Sequence, residues 1–261
     1  MLRKKKYARF FLTGMWLFIQ VYLLMANGIK TDAEAGRIIR EANNLFTENH
    51  FSNPIYFSYF TEIALVYIKL KLNTGYGFII AIHLLANITA LLIFYNFLYK
   101  LYSASVTAFI AAAILVLCFP YQNYNTYLYT ESLFFSISII FTCYLLSVKK
   151  FTGREIIIIS FFLLLLCCTR PTGIIFLPAT VVYVFFAMAN RYSLAWRLTI
   201  STTTFVLFLL LLNYAMGTGG GIDIVRPLRE QHVICDIPTA THIGDVKTNP
   251  ADNSIVGLFT Y

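Results

Sequence analysis

The feature that most constrains this fold is a series of apolar runs, each separated from the next by a short polar or basic segment. Several runs approach the roughly 20 residues that an α-helix needs to cross the hydrocarbon layer of a bilayer. Hydrophobic residues make up 59% of the chain and charged residues only 12%, whereas soluble domains carry about 25% charged residues. The sequence therefore predicts an all-α integral membrane protein.

The formal net charge of +8 would suggest a nucleic-acid partner in a soluble protein. Here the basic residues form short clusters between apolar runs, which is the pattern that sets orientation in a membrane, so no nucleic acid is expected. Four of the five cysteines lie in apolar runs, so no disulfide framework is predicted. His83 also lies within an apolar run and is interpreted as a packing residue.

The basic cluster at residues 3–6 precedes the first predicted span, residues 10–26. The positive-inside rule places the N-terminus in the cytoplasm. The apolar run is longer than that of a usual signal peptide and has no clear small-x-small cleavage site, so it is expected to be a retained anchor. Asp32 and Glu34 then emerge on the extracytoplasmic side.

Residues 33–46 have a different pattern, because their apolar residues fall on one helical stripe: Ala35, Ile38, Ile39, Ala42, Leu45 and Phe46. Such a helix is expected to lie on a membrane surface. The following residues 54–72 are apolar and aromatic but are interrupted by Glu62, Lys69 and Lys71. Whether that segment spans the membrane decides the topology.

Two arrangements follow. If residues 54–72 span, the basic loops near Lys149 and Arg191 fall outside the cell; if they lie in the interface, every basic loop is cytoplasmic, which the positive-inside rule prefers. The second arrangement gives about seven spans, with two juxtamembrane helices in the first extracytoplasmic loop. After the first span, the spans are residues 76–99, 105–119, 132–148, 155–169, 174–189 and 194–215. Residues 1–216 then form the membrane module and residues 217–261 an extracytoplasmic tail.

The preferred arrangement brings four charged residues to the outer face: Asp32, Glu34, Glu131 and Arg170. Carboxylates at membrane depth are costly and are usually kept for handling ions, protons or substrates. Simpler interpretations stay open for both acidic residues of the first loop. Asp32 suits the first turn of a helix, and Glu34 completes a capping box with Thr31.

Glu131 and Arg170 have alternatives of the same kind. Glu131 is expected in the first turn of a span, after a loop rich in tyrosine and asparagine that is typical of either a sugar-contacting surface or an aromatic belt. Arg170 precedes Pro171, which is expected to end a helix. An arginine at that break can bind phosphate through two parallel hydrogen bonds or extend to lipid headgroups.

The order of these features resembles the GT-C glycosyltransferases, multi-span enzymes that use polyprenyl-phosphate sugars, of the protein mannosyltransferase and aminoarabinose transferase kind. The matching segments are Thr-Asp-Ala at 31–33, Pro-Ile-Tyr-Phe at 54–57, Tyr-Thr-Glu-Ser-Leu-Phe at 129–134 and Thr-Arg-Pro-Thr-Gly at 169–173. Each motif is short, and their order carries the resemblance. Glu131 stands where many members carry Asp. Members usually continue with more spans or a soluble domain, so a fragment or a shortened member is expected.

The resemblance implies sugar transfer with inversion from a polyprenyl-phosphate donor to an extracytoplasmic lipid, glycan or protein acceptor. Asp32 would be the general base, and Glu34, Glu131 and Arg170 would bind substrate. Arg170, or a divalent cation such as Mg²⁺ or Mn²⁺ near Asp32 and Glu131, would stabilise the departing phosphate. The expected location is a bacterial inner membrane. A transporter or flippase for lipid-linked glycans, and a non-catalytic subunit, are the alternatives.

Overall fold

A computed structural model describes residues 2–31, 34–102, 105–187 and 193–216, and Asp32 and the predicted tail lie outside these ranges. The described residues form ten α-helices with three short 3₁₀ turns and no β-strand. The helices are α1 (Leu2–Asn27), α2 (Glu34–Glu48), α3 (Phe60–Lys71), α4 (Gly77–Tyr102), α5 (Ser105–Leu117), α6 (Phe119–Asn123), α7 (Thr130–Ser147), α8 (Gly153–Thr169), α9 (Phe176–Ala187) and α10 (Leu194–Met216).

Three helical segments in the described ranges are long and apolar enough to cross a membrane: Lys6–Asn27, Gly77–Tyr102 and Thr130–Ser147. A fourth is added if α5 and α6 are counted as one bent span. Pro171–Ala187 and Leu194–Leu210 are shorter apolar helices. The fold is thus helical with three or four candidate spans, and the predicted seven stay a prediction.

The predicted span 105–119 is not one continuous helix. Helix α5 ends at Leu117, and the chain bends by 60° before α6. Pro120 lies in the first turn of α6, where its missing N–H costs nothing and its fixed φ favours a helix start. A proline therefore starts the new helix direction just after the predicted span, which ends two residues beyond α5.

The two helices of the first loop, α2 and α3, pack against each other. Ala35, Ile38 and Ala42 of α2 are buried against Ile63 and Val66 of α3, which confirms the predicted apolar stripe. Helix α3 has 12 residues and so is about 18 Å long, well short of the ~30 Å hydrocarbon layer. Helix α3 is not among the segments of the described ranges that are long and apolar enough to cross a bilayer, and its surface position in the preferred arrangement stays a prediction.

Helix α1 is joined to α4 and α6 by hydrogen bonds that recur along one of its faces, here called the α1 ladder. Its pairs are Arg9 Nε with Asn96 at 3.0 Å, Trp16 Nε1 with Asn87 at 2.7 Å, Gln20 Nε2 with Gln122 at 2.7 Å and Asn27 Nδ2 with Asn123 at 2.8 Å. Such bonds between membrane helices contribute about 0.6–2 kcal/mol each. The α1 ladder sets the antiparallel register of α1 and α4.

Candidate functional site

A short backbone pairing joins the segment that leaves α1 to the segment that enters α7. The Lys30 N–H donates to the Thr126 carbonyl at 3.0 Å, and the Leu128 N–H donates to the Lys30 carbonyl at 3.0 Å. The two segments run parallel at this point. The pairing therefore holds the start of the first loop beside the entrance to α7, where Glu131 lies.

Glu131 and Arg170 form an ion pair at that entrance. Glu131 lies in the first turn of α7, as predicted, and its Oε1 contacts Arg170 Nη1 directly. The side chains are 12% and 29% exposed, respectively. Because a guanidinium carries five N–H donors, an arginine held by one carboxylate and still open to solvent can bind a second anion.

The backbone after α8 positions Arg170. Helix α8 ends at Thr169, and Arg170 itself has an extended backbone with φ −158° and ψ 140°. Pro171 starts a 3₁₀ turn, Pro171–Ile175, which confirms the predicted helix end. A Cβ on Gly173 would lie 2.4 Å from the backbone of Leu166. Only glycine allows this turn to fold so closely onto the end of α8.

Glu34, the first residue of α2, lies within electrostatic range of the Glu131–Arg170 pair. Burial raises the pKa of its carboxyl, and the charge of Glu131 adds to this, whereas Arg170 and Arg37 act in the opposite direction. Tyr59 belongs to the same group, because burial and then Glu34 raise the pKa of its phenol to about 12. The cluster thus combines carboxylates, guanidinium groups and a phenol.

Three of the four predicted site residues are therefore close together: Glu34, Glu131 and Arg170. The fourth, Asp32, lies outside the described residues. Tyr59 was not predicted as a site residue. The only sequence signal for it was its place in the aromatic segment between α2 and α3.

The segment before α7 was interpreted as either a sugar-contacting surface or an aromatic belt, and two of its amide side chains, Gln122 and Asn125, are buried in the bundle. Asn125 is fully buried, its Oδ1 accepts from the Ser132 hydroxyl at 2.6 Å and its Nδ2 lies 3.3 Å from Gln20. These amides connect α1, α6 and α7, so their role in the fold is structural.

A second pair of ionisable side chains lies below the surface of the bundle, between α3 and α4. Both carboxylate oxygens of Glu62 are 3.1 Å from His83 Nε2, and both side chains are 0% exposed. His83 Nδ1 is buried and has no hydrogen-bond partner among the described residues. The interpretation of His83 as a packing residue was therefore incomplete, because its packing includes an ionisable partner.

The predicted divalent cation near Asp32 and Glu131 is not tested by the described residues, because Asp32 lies outside them. No group of three His, Cys, Asp or Glu side chains within the described ranges is placed to hold a metal ion. Two carboxylates can still bind Mg²⁺ when water and substrate phosphate complete the shell. Arg170 contacts one of the two oxygens of Glu131, Oε1, and the divalent cation stays a prediction.

Comparisons of the chain with protein-family models, with curated proteins and with solved structures give no match.

Proposed function

We propose that this chain is a membrane glycosyltransferase that moves a sugar from a polyprenyl-phosphate donor to an acceptor outside the cytoplasm. In this proposal the seven spans are α1, the bent α5–α6 pair and the helices α4, α7, α8, α9 and α10. Helices α2 and α3 then lie on the outer surface. The proposal rests on the order of motifs described above together with the chemistry of the Glu131–Arg170 cluster.

One observation carries the chemical part. Glu131 holds a partly exposed Arg170 at the end of α8, and the half-buried carboxyl of Glu34 lies close to both. A positioned guanidinium stabilises charge that develops on a departing phosphate, and its planar fork matches phosphate oxygens. Contact with Glu131 fixes the orientation of the guanidinium before substrate binds.

The proposed step breaks the bond between the anomeric carbon and the phosphate oxygen. The acceptor hydroxyl attacks that carbon from the opposite face, its proton passes to the carboxylate of Asp32, and the electron pair of the broken bond leaves with the polyprenyl phosphate. Phosphate is a good leaving group, so one general base is sufficient. Arg170 stabilises the released phosphate.

Proteoliposomes containing the full chain provide the test, with a panel of labelled polyprenyl-phosphate sugars and membrane extract as the source of acceptor. Asp32→Asn is expected to abolish transfer, and Arg170→Gln to lower its rate by about 10²–10³-fold. The matched control is Arg154→Gln, because Arg154 is an exposed arginine at the opposite end of α8. A full transfer rate in Asp32→Asn would refute its role as base, and no transfer from any donor by the wild type would overturn the proposed function.

A transporter or flippase for lipid-linked glycans is the second candidate, and the α1 ladder is the observation that favours it. Buried and half-buried polar side chains follow one face of α1 from Arg9 to Asn27, and a conduit needs polar residues along its spans. These groups are paired with one another, so transport would require the pairs to open. Movement of a labelled lipid-linked sugar across the proteoliposome bilayer without sugar transfer would favour the transporter.

A further inference from the structure

An apolar groove lies between α9 and α10, away from the cluster around Arg170. Its volume is about 350 Å³, within the range of small-molecule pockets. Its walls include Val182 and Phe186 from α9 and Leu198 and Phe205 from α10, all of them exposed. The first residues of α9 follow the turn after Arg170, whereas its second half lines the groove. The groove therefore lies toward the end of α9 that is farther from Arg170.

A cation lies beside this groove. Arg197, on the first turn of α10, places its guanidinium carbon 4.9 Å from the ring centroid of Phe185, one of the groove residues. Its Nε is buried and has no hydrogen-bond partner among the described residues. Burying a guanidinium N–H without an acceptor is unfavourable, so an oxygen from a bound molecule would remove that cost.

The hydroxyl of Ser201, one turn further along α10, is also buried without a hydrogen-bond partner among the described residues. Thr199 and Thr204 each donate to the carbonyl four residues earlier, at 2.9 Å. Ser201 lines the groove. Arg197 and Ser201 are four residues apart and therefore share one face of α10.

We propose that this groove binds a phospholipid of the surrounding bilayer that has an anionic headgroup. One acyl chain lies along the apolar walls, and a phosphate oxygen accepts from Arg197 with Ser201 as a second donor. The arrangement combines an exposed apolar surface with a cation and a hydroxyl at its side, which is the complement of an anionic amphiphile. A free phosphate would leave the apolar walls uncovered, and an uncharged lipid would leave the guanidinium without an anion.

The full chain in detergent micelles is titrated with phosphatidylglycerol and, separately, with phosphatidylcholine of identical acyl chains, and the bound lipids are measured by native mass spectrometry. Wild type is expected to bind phosphatidylglycerol at least about fivefold more tightly. Arg197→Gln is expected to remove this preference, and Arg197→Lys to keep part of it. Val182→Trp fills the groove and is expected to weaken binding of both lipids.

Arg154→Gln is the matched control, because it removes an exposed arginine from another helix at the same end of the bundle and is expected to keep the lipid preference. Equal binding of the two lipids by wild type, or an unchanged preference in Arg197→Gln, would overturn the proposal. A covalent dimer trapped in high yield by Phe186→Cys would also overturn it, since a second copy would then occupy the groove. None of these readouts depends on sugar transfer.

Discussion

The Glu131–Arg170 pair and the Glu62–His83 pair differ in their access to solvent. Glu131 and Arg170, here called the open pair, meet at the end of the bundle with 12% and 29% of their side chains exposed. Glu62 and His83, here called the sealed pair, are 0% exposed. The first pair joins the start of α7 to the end of α8, and the second joins α3 to α4. Only the open pair can exchange a partner for a ligand, so burial separates a candidate binding group from a group that serves the fold.

The two pairs are nevertheless close to each other. The charge of Glu62 contributes to the raised pKa of Glu34, which also lies near the open pair. The hydroxyls of Thr61 and Thr169, each one residue away from a member of a pair, lie 3.0 Å apart. The sealed pair therefore lies beneath the candidate site and supports the position of α3 against α8.

The largest expected effect comes from breaking the sealed pair. In His83→Leu the buried carboxyl group of Glu62 loses the imidazole that both of its oxygens contact, and the free energy of unfolding is expected to fall by about 3–5 kcal/mol. The Arg170→Leu change in the open pair is expected to cost about 1–3 kcal/mol, because water reaches Glu131. Denaturant titration of the full chain in micelles measures both changes.

The chain offers a matched control in its exposed Glu48–His50 pair, at 3.5 Å with side chains 58% and 65% exposed. His50→Leu is expected to change the free energy of unfolding by less than about 0.5 kcal/mol. The double change Glu62→Met with His83→Leu is expected to restore most of the stability, because no unpaired charge is left behind. If His83→Leu and His50→Leu lowered the free energy of unfolding equally, burial of the Glu62–His83 pair would have no energetic consequence.

A smaller effect is expected from Gly173, which shapes the backbone of the open pair. In Gly173→Ala the new Cβ would lie 2.4 Å from the backbone of Leu166, so the turn after α8 has to move. Overpacking of this kind costs about 1–3 kcal/mol. Because Arg170 belongs to the same turn, the change is also expected to lower any activity that depends on its guanidinium.

Gly153→Ala is the control at the other end of α8, where a Cβ meets nothing within 4 Å. It is expected to be neutral or stabilising by up to about 1 kcal/mol, because alanine favours a helix over glycine. Both variants are compared by thermal unfolding in the same detergent. A Gly173→Ala protein as stable as Gly153→Ala would show that the turn can relax without cost.

Local patterns predicted much of the open pair. Pro171 marks the end of α8, the apolar stripe marks α2, and a carboxylate at the start of an apolar run marks Glu131. Each of these signals lies within a few residues of the feature that it predicts. The predicted proximity of Glu131 and Arg170 depended on placing the segments before them on one side of the membrane. The Lys30–Tyr127 pairing confirms that the segment after α1 meets the segment before α7.

The sealed pair was not predictable by the same means. Glu62 and His83 are 21 residues apart on different helices, and their contact depends on how α3 lies across α4. In the sequence Glu62 only interrupts an apolar run, and His83 only lies within one. The predicted end of the span at residue 119 lies within two residues of the end of α5, but the short helix α6 that Pro120 starts was not predicted.

The smallest expected effect is a pH dependence of stability that comes from Glu34. Burial, and then Glu131, raise the pKa of its carboxyl, so the folded state binds this proton more tightly than the unfolded state does. Its stabilising contribution is therefore fully present below the unfolded pKa and is lost as the pH rises through the folded pKa. The effect is expected to stay below about 1 kcal/mol, since Glu34 is partly exposed.

Glu34→Gln removes this titration, so relative to wild type the variant is expected to gain stability as the pH rises from about 4 to 7. Denaturant titrations across that range measure the difference, with Asn43→Ala as an uncharged control on an exposed position of the same helix. A difference between Glu34→Gln and wild type that does not change with pH would contradict the raised pKa. Such a result would also place Glu34 outside the electrostatic influence of Glu131, and the open cluster would be reduced to the Glu131–Arg170 pair.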